Sequence, residues 1–181
     1  MVNQVGQWRN LIRISTPAPD LDRLTRVNNY FNQLMRFGED SEIWGQADYW
    51  ATPMESLHRA AGDCEDFAIA KYYSLILAGV PMTKLRLVYV KATNGNTPAG
   101  GSGEQAHMVM AYYPTPDSEP MILDNLITDI RPASRRPDLQ PVFSFNGEGI
   151  YAGPGGKDEQ SGNARLSRWQ DLMQRASQDG F

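Results

Sequence analysis

The chain has 181 residues, with 17 lysines and arginines against 21 aspartates and glutamates, a formal net charge of −4. That balance argues against non-specific nucleic-acid binding, and 41% hydrophobic with 21% charged residues is a globular composition that excludes bulk disorder. One domain over residues 1–181 accommodates this length, and no apolar run approaches the roughly 18–20 residues needed to cross a bilayer, so no membrane insertion is expected.

Asp20 opens a segment in which Leu21, Leu24, Val27, Phe31, Leu34 and Met35 recur at spacings of three and four, which predicts an amphipathic helix ending near Gly38. Thr52-Pro53-Met54-Glu55 reads as a capping box with proline at the first helical position, opening a short helix that carries Leu57 and His58. Gly62 is the next break. Over 63–78 the apolar positions Phe67, Ile69, Ala70, Tyr73, Ile76 and Leu77 share a helical face, and Gly79-Val80-Pro81 supplies the stop. Cys64 therefore falls in the first turn of a buried helix. Beyond it the period changes. Residues 85–91, 106–113 and 120–124 are short β-branched or aromatic runs between turn signals, which predict strands of an antiparallel sheet. Glycine-rich loops are expected over about 92–104, directly before His107, and over 147–162; a final helix carries Leu166, Trp169, Leu172 and Met173. Helices first and sheet second make an α+β fold.

A single cysteine excludes an internal disulfide and a structural zinc site built from several thiolates. It leaves nucleophilic catalysis open, which needs a base for the thiol and a group to orient that base; Cys64 at a helix start, His107 on one strand and Asp124 at the end of the next offer the set. On spacing alone the commoner roles are a small buried cysteine and a structural histidine. His58, on a short helix, is the weaker base candidate. A helix N-terminus favours a thiolate by only about 0.3–1 kcal/mol, and the carboxylates of Asp63, Glu65 and Asp66 oppose one. Compensation is expected from a protonated His107 or from a divalent cation, and hard oxygen ligands favour calcium over zinc; ordinary helix capping by Asp63 is the alternative. Arg131, Arg135 and Arg136 read as a solvated basic face or a docking patch. The oxyanion of an acyl transfer would find one donor in the Cys64 backbone N–H, with the Trp50 indole as a second candidate and core packing as its other role.

The runs GDCEDFAIAKYYSLILAGV (62–80), KLRLVYVKA (84–92), AHMVMAYY (106–113) and MILDNL (121–126), flanked by YWATPMESL (49–57) and RPASRRPDLQPVFSFN (131–146), resemble the bacterial transglutaminase-like cysteine proteinase family over about residues 44–151. The resemblance implies a papain-like, transglutaminase-type core with N-terminal helices packed on an antiparallel sheet. It implies Cys64 as nucleophile, His107 as general base and acid, Asp124 as the group orienting the imidazole, and calcium held by acidic residues flanking the nucleophile, Asp63, Glu65 and Asp66. It further implies a periplasmic location, the signal peptide being absent from this sequence, and a large surface adhesin as substrate, cut in its N-terminal region to release it and so control biofilm attachment. The implied partner is an inner-membrane receptor that senses cyclic di-GMP and sequesters the protease. An acyl transferase using the same three residues, or a calcium-dependent binding module with an inert cysteine, remain the alternatives.

Overall fold

The computed structural model describes residues 3–93, 103–152 and 159–181. The core of the first expected loop (94–102) and part of the second (153–158) lie outside the described residues. In chain order the helices are α1 (Gln4–Ser15) and α2 (Asp20–Leu34), followed by strand β1 (Arg36–Phe37), helices α3 (Asp40–Ile43) and α4 (Pro53–Arg59), strand β2 (Ala61–Gly62) and helix α5 (Cys64–Leu77). Strands β3 (Leu85–Thr93), β4 (Glu104–Tyr112), β5 (Met121–Leu123), β6 (Arg131–Pro132), β7 (Leu139–Asn146) and β8 (Gly149–Ala152) precede the terminal helix α6 (Glu159–Gln178).

Strands β3 to β8 form one antiparallel sheet in the order β6-β5-β4-β3-β7-β8. Alternation along the strands sends Leu85, Leu87, Met108, Met110, Leu123 and Phe145 to the helical side, where they meet Phe31, Leu57, Phe67, Leu75, Trp169 and Leu172. Burying each such side chain contributes about 1.5–3 kcal/mol. Val88, Val90, Val109, Ala111 and Ile122 make a smaller cluster on the other face. Helix α5 is central: Phe67, Ala68, Ile69, Ala70, Tyr72 and Leu75 are all buried, so it packs on both the sheet and its neighbouring helices.

Two of the expected helices, α4 and α5, start with reciprocal caps, Thr52 with Glu55 and Asp63 with Asp66. Elsewhere the chain departs from the periodicity. Helix α2 stops at Leu34 instead of near Gly38, because Arg36–Phe37 turns extended and pairs in parallel with Ala61–Gly62. Strand β7, unanticipated, contains Pro141, which pairs with Val90 beside the shift in the β3–β7 register at Tyr89/Val90. The second expected loop contains β8, and α6 begins within it at Glu159. Helix α1, also unanticipated, buries Trp8 and Leu11. Among the described residues no helix is long and apolar enough to cross a membrane.

Candidate active site and acidic cleft

Strand β2 delivers the chain to the start of α5 through Gly62, where a Cβ would stand 2.5 Å from the Asp66 Cβ and 2.8 Å from its Oδ2; only glycine permits that approach. Asp63 then caps the helix by accepting from the Asp66 N–H at 3.2 Å, while Asp66 Oδ2 accepts from the Asp63 N–H at 3.3 Å. The fully buried Asp66 also accepts from the Ala51 N–H at 2.9 Å and the Trp44 indole at 3.2 Å. It thereby ties the 44–51 loop to the cap. The far side of that loop is held by Arg175 of α6, which donates to the Trp50 carbonyl at 2.6 Å and to the Tyr49 hydroxyl at 2.9 Å.

The cap leaves Cys64 as the first helical residue, half-buried, with its thiol donating to Glu65 Oε2 at 3.0 Å and its sulfur facing the backbone N–H of Met108. Burial, followed by the carboxylates of Glu65 and Asp63, pushes this thiol up, and the Met108 N–H works the other way. Met108 follows His107 on β4. The β4–β5 register pairs Met110 with Leu123 and Ala111 with Ile122, so His107 and Asp124 come together diagonally just beyond the last paired residues. His107 Nε2 lies 2.7 Å from Asp124 Oδ1, with both residues buried. This engagement leaves Nδ1 as the nitrogen free to exchange a proton with a neighbour. Asp124 Oδ2 accepts from Arg136 Nη2 at 2.7 Å, and Arg136 is braced in turn by Asp138 at 2.9 and 3.0 Å. Burial acts to raise the Asp124 pKa, but the hydrogen bonds from His107 and Arg136 outweigh it and hold the carboxyl down at about 2.

Beside the nucleophile, Asp40, Asp63 and Asp66 each offer a carboxylate oxygen, all within 4.8 Å of one another. Asp40 Oδ2 accepts from the Tyr49 N–H at 2.7 Å, whereas its buried Oδ1 has no hydrogen-bond partner among the described residues. Asp40 and Asp63 line an open cleft of about 340 Å³ with Glu39, Ser41, Ala47 and Asp48. Burial and the charges of Glu65 and Asp66 push Asp63 up to about 10, and burial pushes Asp66 up to about 7. Closely set carboxylates with an orphaned buried oxygen fit a hard divalent cation. Of the residues singled out in the sequence, Asp63 and Asp66 belong to this trio; Glu65 adjoins Asp63 but directs Oε2 at the thiol.

Asp40 was not visible as a partner, since it lies on a four-residue helix distant in sequence from the nucleophile. Arg136 corrects the reading of a solvated basic face: it is 2% exposed and clamps Asp124. Trp50 is also buried and stacks on Phe145, with ring centroids 6.0 Å apart, its indole N–H without a partner among the described residues. His58 is exposed, its Nδ1 beside the Met54 carbonyl, and takes no part in the site.

The family model for bacterial transglutaminase-like cysteine proteinases matches residues 7–137. Among solved structures, Legionella pneumophila LapG is 42% identical, covering 96% of this chain and 87% of its own, with a TM-score of 0.79. An EGTA-treated form of Legionella pneumophila LapG (40% identity, 96% and 88% coverage, TM-score 0.79) and a calcium-bound form (40%, 95% and 88%, TM-score 0.77) are similarly close. No curated protein sequence matches the chain.

Proposed function

Because the chain belongs to the bacterial transglutaminase-like cysteine proteinase family, we propose that it is a calcium-dependent cysteine endopeptidase in which Cys64 is the nucleophile, His107 the general base and acid, and Asp124 the group that orients the imidazole. The observation that carries this reading is the buried His107 imidazole pinned by Asp124, itself held by Arg136, on the strand against which α5, headed by Cys64, packs.

His107 Nδ1 takes the thiol proton as Sγ attacks the scissile carbonyl, and returns it to the leaving amine; water activated by the same nitrogen then hydrolyses the thioester. The Cys64 backbone N–H, which has no acceptor within its own helix, is placed to stabilise the oxyanion. Asp124 fixes the tautomer, and Arg136 fixes Asp124. Asp40 and Asp63 would hold calcium, with Asp66 behind them and Glu65 beside them, and the bound ion supplies the positive charge that offsets these carboxylates against a forming thiolate.

Family membership extends the proposal to a periplasmic setting, a large surface adhesin cut in its N-terminal region, a role in biofilm detachment, and sequestration by an inner-membrane cyclic di-GMP receptor. The test is intact-mass spectrometry of an adhesin N-terminal fragment incubated with the protein, with and without calcium. Two products whose masses sum to the substrate plus one water are expected only with calcium. Transfer of the acyl fragment to an added amine in place of water, or an uncut fragment, overturns the reading.

A further inference from the structure

Lys71 is 1% exposed and stands seven residues after Cys64 on α5, two helical turns along the same face. Its Nζ donates to Asn32 Oδ1 at 2.7 Å, and the Nδ2 of that amide donates to the backbone carbonyl of Asp124 at 3.0 Å. One turn earlier on α2, Asn28 donates to the Thr128 carbonyl at 2.8 Å, so both ends of the 124–128 segment hang from the same helix. A buried amine on a central helix is far more expensive than a methionine of similar shape, and packing alone does not account for it.

We propose that Lys71 is a positioning residue for Asp124: through Asn32 it fixes the main chain that carries the carboxylate, and its ammonium sets how much of that carboxylate's field reaches His107. The inference rests on the reading of Asp124 as the group that orients the imidazole. Asp124 is the charged group within electrostatic reach of Lys71; His107 and Arg136 share that carboxylate. Helix α2 presents Asn28 and Asn32, neither titratable, and α5 itself presents the Phe67 ring, 5.8 Å from Nζ to centroid. Burial, opposed by Asp124, brings Lys71 down to about 7. Below that pH the ammonium draws on the carboxylate that Asp124 shares with His107. Above it the neutral amine still donates to Asn32, and the whole field of the carboxylate returns to the imidazole, favouring the thiolate–imidazolium pair.

The experiment measures kcat, KM and the pH dependence of kcat/KM on the adhesin fragment for calcium-saturated wild type, Lys71→Met, Lys71→Arg and Asn32→Ala, each checked by circular dichroism and a cooperative melt. Lys71→Met and Asn32→Ala are expected to lower kcat about tenfold with KM changed less than about twofold. Wild type and Asn32→Ala should share a rise in kcat/KM between pH 6 and 8 that Lys71→Met lacks, and Lys71→Arg should stay at the low-pH level throughout. Folded Lys71→Met and Asn32→Ala proteins with wild-type kcat overturn the proposal. Should Lys71→Met fail to fold, Asn32→Ala decides the positioning role and Lys71→Arg the charge. A wild type that does not cleave, or a Cys64→Ala protein that does, defeats the proteolytic reading instead.

Discussion

Arg136 donates through Nη2 to Oδ2 of Asp124 at 2.7 Å, and both side chains are shielded from solvent, so the carboxylate beside His107 is held from two sides. Removing one partner of such a buried pair leaves an uncompensated charge. Arg136→Met is therefore expected to destabilise the fold by about 3–5 kcal/mol, measured by denaturant unfolding at pH 7. Asp124 has a folded pKa depressed to about 2, below its unfolded value, so its contribution to stability is complete above the unfolded pKa and is lost as pH falls from about 4 to about 2. In Arg136→Met that loss should begin at higher pH. An unfolding free energy and pH profile equal to wild type would remove Arg136 from the site.

Cys64→Ala and His107→Ala should each abolish cleavage while leaving the fold intact, whereas Asp124→Asn should reduce kcat by about 10²- to 10⁴-fold because an orienting group is less indispensable than a nucleophile. Steady-state kinetics on the adhesin fragment provide the measurement. Retained cleavage by a folded Cys64→Ala protein would remove the thiol from the mechanism.

Asp40 supplies the buried oxygen without a partner, so Asp40→Ala is expected to abolish calcium binding in calorimetric titration and to mimic chelation in the cleavage assay. Wild type should melt higher in calcium, by an amount equivalent to about 2.7 kcal/mol at a hundredfold excess over Kd. An Asp40→Ala protein that binds calcium normally would place the ion elsewhere.

The metal-free protein should become less stable as pH rises. Asp63 and Asp66 have folded pKa values pushed up to about 10 and about 7, above those of the unfolded chain, so ionising them works against the fold from about pH 4 upward. Thermal melts in chelator between pH 5 and 8 should show a falling midpoint, and calcium should flatten the trend. A midpoint that climbs over this range in chelator would contradict the repulsion.

The parts legible in sequence were those set by local rules. The Thr52 and Asp63 caps, the stop at Gly79 and the alternation of β4 placed Cys64 at a helix start and His107 on a strand, and these features survive packing because they are satisfied within a few residues. What escaped depends on long-range pairing. Asp40 reaches Asp63 because β1 pairs with β2, and Arg136 is drawn inside by Asp124 and Asp138, although its neighbours Arg131 and Arg135 gave the stretch the look of a solvated face. Pro141 hid β7, since proline inside a run speaks against a central strand unless a register shift accommodates it.

The central claim, that His107 and the offset acidic cluster turn a half-buried thiol into a nucleophile, is tested most directly by the rate of Cys64 carboxymethylation by iodoacetate against pH, with peptide mapping to confirm the site. In calcium, alkylation should already be rapid near pH 6 and rise only modestly to pH 8 as Lys71 loses its charge, and His107→Ala or excess chelator should move the profile to the steep alkaline rise of an unassisted thiol. A wild-type profile that rises only at alkaline pH in saturating calcium, unchanged by His107→Ala, would contradict it.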